Sequence, residues 1–111
     1  MSLRNNLRGD RHRQPFHGAV LISWQNQGYL KNVRANGLNI SESGLQVACL
    51  DPIELRTIVY LKSQQHESLG NASVRFCRRL GLKYQIGLEF STAPPLAVER
   101  RKRLLKVPHS N

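Results

Sequence analysis

The chain has 111 residues, a formal charge of +10 and a sequence pI of about 10.6. That length holds one domain rather than two, and it buries enough apolar surface to fold without a metal or disulfide. The charge favours a polyanionic partner such as nucleic acid, a nucleotide or an acidic membrane surface; no apolar run approaches the roughly 20 residues of a spanning helix, and no C-x-x-C spacing offers a zinc or redox motif.

Residues 1–14 are polar and carry Arg4, Arg8, Arg11 and Arg13 against Asp10. They read as a flexible N-terminal arm that stops at Pro15. His17 to Trp24 alternates around Val20, Ile22 and Trp24, a first strand. Asn26-Gln27-Gly28 is a turn, and Tyr29 to Arg34 a second strand. Asn36-Gly37 is another turn signal. Leu38 and Ile40 lead into the polar stretch Asn39 to Gly44, after which Leu45, Val47 and Cys49 follow with period two until Asp51-Pro52 breaks the strand.

Leu55 to Leu61 is apolar and β-branched, a further strand, and Lys62 to Gly70 a polar loop. Ala72, Val74 and Phe76 alternate with Ser73, Arg75 and Cys77, which places Phe76 on the core side with Val74. Arg79 to Lys83 is a basic hairpin loop. Tyr84, Ile86, Leu88 and Phe90 alternate against Gln85, Gly87 and Glu89 as the cleanest half-buried strand. Ser91 or Thr92 can cap a terminal helix with Pro94-Pro95 in its first turn and a narrow apolar stripe of Ala97, Val98, Leu104 and Leu105 on a basic surface. About six short strands followed by one helix predict an all-β fold: a small six-stranded antiparallel barrel with a C-terminal helix. The expected organisation is an arm over 1–14, a barrel with its helix over 15–107 and a tail over 108–111.

Cys49 and Cys77 each lie in an apolar strand pattern and read as small buried hydrophobes in a reducing cytosol. The four histidines share no ligand spacing, so no metal site is expected. No Ser/His/Asp, Cys/His or paired-carboxylate arrangement marks a catalytic centre, and no enzyme or cofactor is expected. The N-terminus is basic without an apolar stretch behind it, which is not the pattern of a secretory signal. The expected location is the cytoplasm.

Two segments carry chemistry. In the turn, Asn39 and Ser41 share side-chain parity, opposite to Leu38 and Ile40. Their amide and hydroxyl groups either shape a tight turn or dock a base edge or phosphate. Gly44 admits a positive φ or a close backbone approach. In the arm, each guanidinium is a planar fork that matches phosphate oxygens and the O6 and N7 acceptors of guanine. Together they suit a compact, doubly charged, purine-bearing anion.

The order of an Arg-rich strip, a strand, Asn39-Ile40-Ser41-x-x-Gly44, further strands, Ser73-Val74-Arg75-Phe76 and Tyr84-x-Ile86-Gly87-Leu88-Glu89-Phe90 resembles the PilZ domain, a bacterial cyclic-di-GMP receptor. The likeness spans nearly the whole chain. Asn39, Ser41 and Gly44 meet the family's [Asp/Asn]-x-Ser-x-x-Gly motif. Arg13 stands where the second arginine of the family's Arg-x-x-x-Arg belongs, but Gly9 occupies the position four residues earlier, and the literal spacing is met by Arg4 and Arg8. The resemblance implies a cyclic-di-GMP site built from Arg8, Arg11, Arg13, Asn39, Ser41 and Gly44, with Arg4, Ser43 and Arg75 as additional contacts. It implies an effector protein as partner, and bacterial motility or biofilm control as the process. Two alternatives stand beside it. One is a PilZ-like adaptor that works through protein contacts without the nucleotide. The other is a basic small barrel that binds nucleic acid, which the scarcity of aromatics outside the core pattern disfavours.

Overall fold

The computed structural model describes residues 13–91. The helix expected from Ser91 or Thr92 onward, the tail 108–111, and Arg4, Arg8 and Arg11 lie outside that range. Among the described residues, seven strands form in chain order: β1 (Gln14–Pro15), β2 (Ala19–Asn26), β3 (Tyr29–Ile40), β4 (Gly44–Cys49), β5 (Ile58–Ser63), β6 (Ser68–Leu80) and β7 (Lys83–Phe90). All pairings are antiparallel. The ring runs β3-β2-β5-β6-β7-β4 and closes because β4 pairs back onto β3. The result is a closed six-stranded antiparallel barrel, with β1 as an extra short strand on the end of β3. Every strand of the ring pairs on both sides over part of its length, while Tyr29–Ala35 of β3 pair only with β2 and Phe76–Leu80 of β6 only with β7. Among the described residues, no helix is long and apolar enough to cross a membrane.

Period-two alternation explains the interior. Val20, Ile22 and Trp24 of β2 point inward, as do Leu45 and Val47 of β4, Val59 and Leu61 of β5, and Ile86 and Leu88 of β7. Each fully buried aliphatic side chain contributes about 1.5–3 kcal/mol relative to exposure. Phe16, Tyr84 and Phe90 pack on this core from its margins.

Several local expectations are corrected. Asn36-Gly37 is not a turn; β3 runs through it for 12 residues. A register shift between Gly37 and Asn39 absorbs the irregularity, and the Phe16 ring lies against Gly37. The strand expected from Leu55 starts only at Ile58. The preceding turn is held to β6 instead, by Arg56 N–H to the Val74 carbonyl (2.8 Å) and Val74 N–H to the Thr57 carbonyl (3.0 Å). Those bonds sit where β6 bulges at Arg75. The bulge shifts the phase of the strand. Phe76 therefore lies opposite Gly87, on the outer face, and not in the core with Val74.

Candidate functional site

The short strand β1 has one consequence for chemistry. Its register sets Pro15 opposite Asn39 and Gln14 opposite Ile40. Arg13, one residue before it, thereby lands beside Asn39, and its Nη1 donates to Asn39 Oδ1 at 2.7 Å. The arm's last arginine and the turn's asparagine are thus brought together.

The contact continues across the barrel wall. Asn39 and Gln46 are register partners in β3 and β4, and Asn39 Nδ2 donates to Gln46 Oε1 at 3.2 Å. The same oxygen accepts from Gln85 Nε2 of β7 at 2.9 Å. Gln85 Oε1 in turn accepts from Arg78 Nε of β6 at 3.2 Å. One hydrogen-bonded row of Arg13, Asn39, Gln46, Gln85 and Arg78 therefore runs from just before β1 across four strands, β3, β4, β7 and β6. It ends in a guanidinium on each side.

Phe76 borders the row. Its ring lies over Gly87, which is the register partner of Gln46, and any Cβ at Gly87 would overlap that ring. The Arg78 guanidinium carbon sits 4.9 Å from the ring centroid, within the range of a cation–π contact. The face therefore offers an aromatic surface, three amide side chains with both donors and acceptors, and two cations. Amides and guanidinium forks of this kind recognise the edges of purine bases and phosphate oxygens.

The other expected residues take different places. Ser41 is only 1% exposed and does not share Asn39's outward direction. Its Oγ accepts the Ser43 N–H at 3.2 Å, the two hydroxyls lie 3.3 Å apart, and its own N–H donates to the Gly44 carbonyl at 2.9 Å. Ser41 shapes the turn from within, while Ser43 is exposed on it. Gly44 takes no positive φ. It is needed for close approach, because a Cβ there would collide with the Leu88 carbonyl oxygen. Arg75 sits on the bulge and pairs with Glu89 at 2.9 Å. It lies beside Leu55, Arg56 and Ile58 and is not a member of the Asn39 row.

Gln46, Gln85 and Arg78 were not among the expected site residues. Parity alone signals the first two, since Gln46 stands between inward Leu45 and Val47, and Gln85 immediately precedes inward Ile86. Cys49 is buried and Cys77 half-buried, both as free thiols. Burial raises the Cys49 pKa above its ordinary value of 9.0. No model of a known protein family and no curated protein matches the chain.

Proposed function

We infer that the protein is a non-catalytic receptor for cyclic di-GMP, with the Asn39 row as the floor of its site. The observation that carries this reading is the Arg13–Asn39 hydrogen bond, which joins the two segments that the sequence marks for anion and purine recognition. Arg13 and Arg78 supply positive charge at the two ends of the row. Asn39, Gln46 and Gln85 supply amide donors and acceptors for guanine edges, and Phe76 an aromatic face. Ser41 and Gly44 hold the turn that fixes Asn39 in place. Arg4, Arg8 and Arg11 then close over the dinucleotide from the arm. The closed arm alters the surface presented to an effector protein, a case of coupled ordering and binding. Control of bacterial motility or biofilm formation is the process that fits such a receptor.

Calorimetry with cyclic di-GMP, beside GTP and cyclic di-AMP, tests the reading. Two guanine edges and two phosphates in one ligand should bind about tenfold or more tighter than either comparison ligand. Equal affinities for all three would reject specific recognition and favour the adaptor that works without nucleotide.

A further inference from the structure

Strand directions sort the loops to two ends of the barrel. The Ser41–Ser43 turn and the loop 64–67 lie at one end. The turns at 27–28 and 81–82 and the segment 50–57 lie at the other. Among the described residues, seven of the eight large hydrophobics left exposed belong to that second end. Three of them are leucines on one rim. Leu82 is 89% exposed, Leu50 69% and Leu80 50%. Leu80 pairs with Lys83 across the hairpin, and the β4–β7 pairing ends at Cys49 and Tyr84, the residues next in the chain to Leu50 and Lys83.

The hairpin tip reads Arg78-Arg79-Leu80-Gly81-Leu82-Lys83, with three cations and no acid. Arg79 is held to the tip, its Nε 3.4 Å from the Gly81 carbonyl and its guanidinium carbon 5.5 Å from the centre of the Tyr84 ring. Leucines standing on a convex tip between cations have the chemistry of an interfacial anchor. The apolar groups enter the headgroup–acyl boundary and the cations meet lipid phosphates. A partner protein would need a groove to receive the tip, whereas a fluid bilayer needs none and supplies the matching charge.

We propose that this rim docks on an anionic lipid bilayer, with Leu80 and Leu82 inserted and Arg79 and Lys83 at the headgroups. The rim lies at the opposite end from Asn39; Arg78 belongs to both the tip and the Asn39 row, but Leu80, Leu82, Arg79 and Lys83, which carry the proposal, are outside that row.

Co-sedimentation of the full chain with vesicles tests it, using phosphatidylcholine alone and phosphatidylcholine mixed with phosphatidylglycerol. The protein should associate only with the anionic vesicles. The double variant Leu80→Ser, Leu82→Ser should partition about tenfold or more weakly. Leu82→Ser alone, at a side chain almost wholly in solvent, should weaken partitioning severalfold with an unchanged melting temperature. Absence of association with anionic vesicles overturns the proposal. So does wild-type partitioning by both variants, which would assign the attraction to other basic segments.

Discussion

Arg13 Nη1 and Asn39 Oδ1 are 2.7 Å apart although the residues are separated by 26 positions in the chain. The bond exists because β1 adds to the end of β3 and delivers Arg13 beside Asn39. If both residues hold the same ligand, their effects on binding are coupled. Asn39→Ala and Arg13→Ala should each weaken cyclic-di-GMP binding about tenfold. The double variant should depart from additivity by about 0.5–3 kcal/mol, measured by a calorimetric double-mutant cycle. Strict additivity would separate the two residues functionally.

Gly44 faces the Leu88 carbonyl with no room for a side chain. The obstacle is backbone of a central strand, which cannot swing aside. Gly44→Ala should therefore cost about 1–3 kcal/mol, seen as a drop of several degrees in melting temperature. Wild-type stability in this variant would show that the β4–β7 pair can separate locally at little cost.

Phe76 lies on the outer face over Gly87. Replacing it with Leu should leave the fold stable to within about 1 kcal/mol. Ligand affinity should fall by about 1–3 kcal/mol if a base stacks on the ring. Paired melting and calorimetric measurements separate the two effects. A large loss of stability with unchanged affinity would return Phe76 to a structural role.

Much of the barrel was legible in the sequence, because inward residues repeat every second position in β2, β4 and β7. What periodicity could not reveal was backbone irregularity. The register shift in β3 lets a strand continue through Asn36-Gly37, and the bulge at Arg75 turns Phe76 outward. Arg13 and Asn39 were legible as separate candidates, and long-range register alone joins them. Gln46, Gln85 and Arg78 come from three different strands, so no local pattern could assemble their row. Ser41 shows the converse, since its alternation pointed outward but the end of β3 at Ile40 places it inside the turn.

Burial disfavours the Cys49 thiolate, so the folded thiol ionises at a higher pH than the unfolded one. In the unfolded chain the thiol ionises near its ordinary value of 9.0. The folded state then holds more protons than the unfolded one, and stability should fall as pH rises through and beyond that value. Denaturant melts between pH 8 and about 10.5 should show this decline, and Cys49→Ala should reduce it. A thiol reagent should modify half-buried Cys77 before buried Cys49. Faster labelling of Cys49 would contradict its burial.

The central functional claim is that arginines of the arm close over cyclic di-GMP held at Asn39. Amide NMR signals of residues 4–13, followed together with the Asn39 side-chain amide during titration with cyclic di-GMP, measure it most directly. Saturable shifts in both sets at the same ligand concentration, accompanied by reduced fast motion in residues 4–13, are the predicted result. Saturating dinucleotide that leaves residues 4–13 and the Asn39 amide unchanged would contradict it.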